Sequence, residues 1–304
     1  MSMNPQQPQL SCPGSAPAPA SVVLDPAAAL PLMGVFAAVG WAVGAIVSVL
    51  PGLSASTRAH AASVRDHALV AAFLAGIASA IGSAAEWVLA TVASGGGAAV
   101  SSHWTAIDFF LRSAIIAGFI IGAIGAASAV AVVPVVGPFL AFMAGVVYGP
   151  STLILTTIII MSVFQSATLI VTLNAIPLIY PAGFALIAAP GRIAKGVGAF
   201  LISLSLVMYV AAPLIPYAMA SVASVTRGFA LNPSDLSSVL NTICQRTSNF
   251  AGDAAALLFQ LPWDYYADLY VWLVMVVAGA IIVALALAAA RALSHSIGGV
   301  SASI

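Results

Sequence analysis

Leu269–Ala290 reads LYVWLVMVVAGAIIVALALAAA, a run without one charged residue that ends at Arg291. A helix crosses some 30 Å of hydrocarbon with about 20 apolar residues, so this stretch is long enough to span a bilayer. The rest of the chain has the same character. Of its 304 residues eight are Lys or Arg and eight are Asp or Glu, while 62% are hydrophobic; mean hydropathy is +1.14. A soluble domain carries about a quarter of its residues as charges. Water would not keep so apolar a surface dispersed, and lipid does. The fold expected is all-α, a polytopic transmembrane helical bundle.

Working back from that last stretch, further apolar runs fall at Leu30–Leu50, Ala68–Val92, Phe109–Val133, Val135–Tyr148, Thr152–Leu173 and Val197–Met219. About seven spans is the count that follows. Val135–Tyr148 is the short one, held between Pro134 and Pro150, and reads as a tilted span, a re-entrant piece or an extension of the fifth span. Residues 1–29 form a flexible Pro-rich tail. They hold no Lys or Arg, the first cation being Arg58, so the basic n-region of a cleaved presequence is missing. Residues 30–219 form the membrane bundle of spans one to six. Residues 220–268 form an extracellular loop, and residues 269–304 the last span with a short tail.

Cation placement sets the expected topology. Arg58 and Arg65 follow span one, Arg192 and Lys195 follow span five, and Arg291 follows span seven. Cytoplasmic loops are enriched in Lys and Arg. Seven spans with the N-terminus outside and the C-terminus in the cytoplasm bring all five to the inner face of the cell membrane. The piece Asn174–Lys195 is apolar but carries Pro177, Pro181, Gly183 and Pro190. Because proline removes a donor and disfavours helix before it, a broken or re-entrant segment is expected before the sixth span, as a packing hairpin or as the lining of a path. In the outer loop, SDLSSVLNTICQR places Leu236, Val239, Leu240 and Ile243 at helical spacing, an amphipathic helix. Trp263, Tyr265, Tyr266, Tyr270 and Trp272 follow as a headgroup-level anchor.

Polar groups within the spans are few. Glu86 and Arg112 fall at similar depth, and ionisable residues there are candidates for function. A Glu86–Arg112 pair competes with the local Asp108–Arg112 pair at four-residue spacing. Gln165 and Asn174 suit helix–helix hydrogen bonding. GWAVG at Gly40–Gly44, GFIIG at Gly118–Gly122 and GVVYG at Gly145–Gly149 allow close backbone approach and favour a homo-oligomer. Cys12 and Cys244, both outside in this topology, either pair in a disulfide or stay separate thiols. No phosphate-binding loop, HExxH, CxxC or nucleophile elbow occurs, so neither an enzyme nor a cofactor is expected. Balanced net charge gives no basic arm for nucleic acid.

The stretch Leu178–Tyr217, LIYPAGFALIAAPGRIAKGVGAFLISLSLVMYVAAPLIPY, joins a Pro/Gly-containing apolar piece to a short basic loop and a further span. It resembles the CedA-type polytopic component of archaeal DNA-import machineries, itself similar to the polytopic inner-membrane subunit of type IV secretion systems. The residues that carry the resemblance are Pro181, Gly183, Pro190, Arg192, Gly196, Gly198, Ala199, Phe200, Leu201, Ile202, Tyr209 and Pro213. It implies a channel component for DNA. Its implied partners are small two-span pilin-like membrane subunits and a hexameric cytoplasmic ATPase. Pro177–Pro190 would then line or gate the path, with Arg192 and Lys195 facing the ATPase or the DNA phosphates. Two other readings stay open. One is a small-solute permease in which Glu86, Arg112, Gln165 and Asn174 converge; the other is a structural anchor for a pilus or surface complex.

Overall fold

A computed structural model describes residues 30–95, 103–130, 149–188, 192–227, 236, 240 and 263–298. Among these the secondary structure is helical and without strands. Six helices are defined along their length: α1 Leu30–Val49, α2 Ala55–Gly95, α3 Thr105–Val130, α4 Gly149–Ala188, α5 Arg192–Arg227 and α6 Trp263–Gly298. Four contain stretches long and apolar enough to cross a membrane: Thr105–Gly122, Gly149–Ile187, Lys195–Thr226 and Tyr266–Ile297. These coincide with expected spans three, five, six and seven. The protein is a helical membrane protein. Span one is met by a shorter apolar helix, Ala37–Val49, and Val135–Tyr148 lies outside the described residues.

The chain forms two compact units. Among the described residues, one holds those within 104–169 and 214–282, the other those within 30–103, 170–213 and 283–298. Helices α4, α5 and α6 contribute residues to both.

In the second unit α1 and α2 make a hairpin. Pro51 and Gly52 end α1, and Gly52 takes a φ of 93°, a backbone region that side-chain-bearing residues rarely occupy. Ser54 then starts α2: its Oγ accepts the Thr57 N–H at 3.3 Å and its carbonyl accepts the Arg58 N–H at 3.1 Å, the pattern of an N-cap. With that start, the Ala-rich segment after it winds into helix. Arg58 and Arg65, which follow span one in the sequence, therefore sit on α2. Arg65 lies 3.6 Å from Asp66 in an exposed ion pair, worth little in such a setting. The Gly40–Gly44 motif is the contact line: a Cβ on Gly44 would fall 2.8 Å from the Ala61 carbonyl oxygen, and one on Gly40 would lie 3.4 Å from Ala68 Cβ. Gly118, Gly122 and Gly149 meet nothing within 4 Å.

Over residues 174–188 the break expected before span six is a correction. Helix α4 runs through Pro177 and Pro181 without interruption to Ala188. Each proline takes one donor from the ladder, freeing the carbonyls of Leu173 and Pro177, at a cost of about 3 kcal/mol in a helix interior. Unwinding in an apolar surround would free several more backbone groups, each at a similar cost. Burial opposes it too. Leu173, Ile176, Tyr180, Phe184 and Ile187 recur at helical spacing and all are buried, whereas Pro177 is exposed and Pro181 partly so. The prolines sit away from the packed face, and the helix holds.

The loop bounds of residues 220–268 narrow in the same way, because α5 continues to Arg227 and α6 begins at Trp263. Within that interval Leu236 and Leu240 are helical and each only 1% exposed; Val239 and Ile243 lie outside the described residues.

Candidate functional site

Helices α4 and α5 form the antiparallel hairpin on which most of the sequence candidates lie. Their crossing is made of glycine. A Cβ built on Gly198 would stand 2.5 Å from the Gly183 carbonyl oxygen and 2.9 Å from the Ile187 nitrogen. One on Gly183 would stand 2.9 Å from the Gly198 carbonyl oxygen and 3.1 Å from the Ile202 nitrogen. Residue pairs 183/202 and 187/198 thus face each other across a backbone-to-backbone seam. Ile202 and Ile187 close its two ends, and Tyr180 meets Phe184 edge-to-face at 5.1 Å further along α4. Arg192 opens α5 and Lys195, partly exposed, follows one turn later. Pro190 lies outside the described residues. Asn174, exposed on α4, donates to its own helix at the Ile170 carbonyl, 2.9 Å away.

A second cluster of the same unit surrounds Tyr209. Pro213 removes the donor that would meet the Tyr209 carbonyl four residues earlier on α5. His103, in the turn before α3, places Nε2 3.1 Å from that oxygen, and its ring rests on the Tyr209 ring with centroids 4.6 Å apart. A carbonyl oxygen only accepts, so Nε2 carries the proton. Burial pushes the His103 pKa below its ordinary 6.5, and the bond to Tyr209 opposes this more weakly. Glu86, exposed on α2, acts electrostatically on Tyr209. The Glu86 candidate therefore belongs with His103 and Tyr209, neither of which polarity in the spans had singled out.

In the first unit, three helices share a buried polar seam. Helix α3 turns Ala106, Phe110, Ser113 and Ala117 inward, each 0% exposed. Helix α4 brings Gln165, and α6 brings Trp272, Val276 and Gly279 along one face. The Trp272 Nε1–H donates to Ser113 Oγ at 3.0 Å, and Gln165 Nε2 donates to the Val276 carbonyl at 3.0 Å. Gly279 leaves the room that both partners need: a Cβ there would lie 2.6 Å from Phe110 Cζ and 3.1 Å from Gln165 Oε1. Trp272 is fully buried, which corrects its expected place in the aromatic anchor; Tyr270 remains exposed. An indole N–H inside the protein needs an acceptor, and Ser113 supplies it. Gln165 acts as the interhelical hydrogen-bonding group its type suggests, while its Oε1 and the Ser162 Oγ, three residues earlier, are buried without a hydrogen-bond partner.

Arg112, buried on α3, has its Nε 3.0 Å from Asp108 Oδ2. This is the local four-residue pair. The Nε–H is not directed into a hydrogen bond, so the attraction there is one of charge. Cys12 and Cys244 lie outside the described residues, and among the described residues no three His, Cys, Asp or Glu gather as a metal site would require. The arrangement of both units is one of helix packing and buried hydrogen bonds.

No protein-family model, no curated protein and no solved structure matches the chain.

Proposed function

We propose that this chain is a membrane channel or platform subunit for DNA translocation, moving DNA between cells in an archaeal type IV secretion-like import system. One observation supports the reading above the others. The stretch that carries the resemblance, Leu178–Tyr217, lies within the α4–α5 hairpin, and its matching glycines 183 and 198 occupy the backbone seam. A match confined to apolar filler would fall anywhere on the helices. Two of its residues, Gly183 and Gly198, fall where a side chain does not fit.

In this reading the protein has seven spans, with its N-terminus outside and its C-terminus in the cytoplasm. Pro177, Pro181, Gly183 and Pro190 line or gate the path, and Arg192 and Lys195 at the hairpin turn face the ATPase or DNA phosphates from the cytoplasmic side. The partners are small two-span pilin-like subunits, a hexameric cytoplasmic ATPase, surrounding lipid and further copies of the chain. Cross-linking in intact cells, followed by mass spectrometry of the tagged protein, tests this directly. Recovery of small two-span proteins and a hexameric ATPase is the expected result. Recovery of neither, from cells active in DNA transfer, would count against it.

A second reading, a small-solute permease, draws on Gln165, whose buried and unpaired Oε1 is an acceptor for a donor-bearing solute. Solute uptake that stops in a Gln165→Leu variant whose DNA transfer is normal would favour that reading.

A further inference from the structure

Helix α5 contains Pro213 and Pro216, and the first of them leaves the Tyr209 carbonyl without its helical donor. The proline ring also crowds the carbonyl four residues back and turns it away from the helix axis. A buried carbonyl with no donor destabilises the fold by as much as a lost hydrogen bond. The donor that reaches it comes from a distant part of the chain. His103 Nε2 stands 3.1 Å from the Tyr209 oxygen, with 106 positions between the two in sequence. The ring contact at 4.6 Å fixes the imidazole over the same residue whose carbonyl it serves.

We infer that His103 is a latch on the proline-containing turn of α5: its Nε2–H replaces the hydrogen bond that Pro213 deletes and thereby holds the helix at Tyr209. The latch belongs to a conformational device, because a side-chain bond between the segment before α3 and α5 can open without unwinding either helix. Both the neutral Nε2–H tautomer and the protonated ring donate from Nε2, so the bond itself does not depend on the charge of His103. The inference does not depend on the DNA-translocation reading.

The test is amide hydrogen exchange on the full chain in detergent or nanodiscs, read on peptides covering residues 205–217. His103→Phe keeps an aromatic ring against Tyr209 and deletes the donor. Exchange in this segment is expected to speed up by about fivefold to tenfold, the effect of losing one part-buried hydrogen bond. In a Pro213→Ala background the backbone N–H of residue 213 is restored, and His103→Phe is then expected to change exchange little. An equal acceleration in both backgrounds, or none in the native chain, overturns the latch. Should Pro213→Ala not fold, His103→Gln decides: its amide carries a donor of comparable reach, and protection close to that of the native chain is expected. Protection no better than that of His103→Phe overturns the proposal.

Discussion

Gly279 has no side chain, and the space beside it is taken by the Phe110 ring and the Gln165 carboxamide. Both neighbours are buried, so neither can swing away from an added methyl group. Gly279→Ala is therefore expected to lower stability by about 1–3 kcal/mol, the usual effect of overpacking a filled core, measured as a lower thermal midpoint in detergent. An unchanged midpoint would mean that the seam is loose. His103 carries a different prediction. Burial holds its folded pKa below the ordinary 6.5, so the unfolded chain takes up a proton more readily than the folded protein. Its contribution to stability is then complete above pH 6.5 and is lost as the pH falls from there toward the folded value. The thermal midpoint of the native protein should drop over this window by more than that of His103→Gln; identical profiles would remove His103 from the account. At this scale legibility was uneven. Asp108–Arg112 was visible from its four-residue spacing, and Gln165 from its polarity within a span. His103 gave no signal, since its partner is a carbonyl exposed by a proline in another helix, and no local pattern joins residues 103, 209 and 213. Trp272 misled because five aromatic rings before an apolar run resemble a headgroup belt, while the one nearest the run is drawn inside by Ser113.

Among the elements, glycine and proline were the residues most easily seen and the hardest to weigh. Gly40–Gly44 and Gly118–Gly122 share one spacing, yet only the first touches a neighbouring helix. Spacing states that a close approach is allowed; the partner helix decides whether it occurs. Pro177 and Pro181 suggested a break, and the buried stripe from Leu173 to Ile187 outweighed them. The polar stretch after Gly52 is helical because Ser54 supplies an N-cap and strong helix formers follow. The α4–α5 seam carries the clearest element-scale expectation. At Gly198 the nearest atoms are backbone, the Gly183 carbonyl oxygen and the Ile187 nitrogen, and backbone cannot rotate aside. Gly198→Leu is expected to separate the two helices, with loss of stability of about 3 kcal/mol or more, whereas Gly196→Leu, with open space at its Cβ, is expected to be tolerated. Equal behaviour of the two variants in a detergent unfolding assay would show that the helices do not meet as described.

For the whole molecule, scarcity of charge was the most informative quantity, because it fixed the solvent before any span was counted. Spans five, six and seven were legible as long uncharged runs and span three as an apolar run broken only by Arg112, and helices long and apolar enough to cross a membrane stand at each. The number seven rested on apolar length and cation parity alone, which is why it belongs with the proposed topology. The proposed function draws on the α4–α5 stretch alone. Channels and platforms act through the packing of helices around a path, and such packing leaves no catalytic signature in a sequence. The proposed role has a direct readout: the frequency with which genetic markers pass between cells when the gene for this chain is deleted and then restored. The account predicts that transfer collapses in the deletion strain and recovers with the native chain. Transfer at the parental frequency in the deletion strain would contradict it.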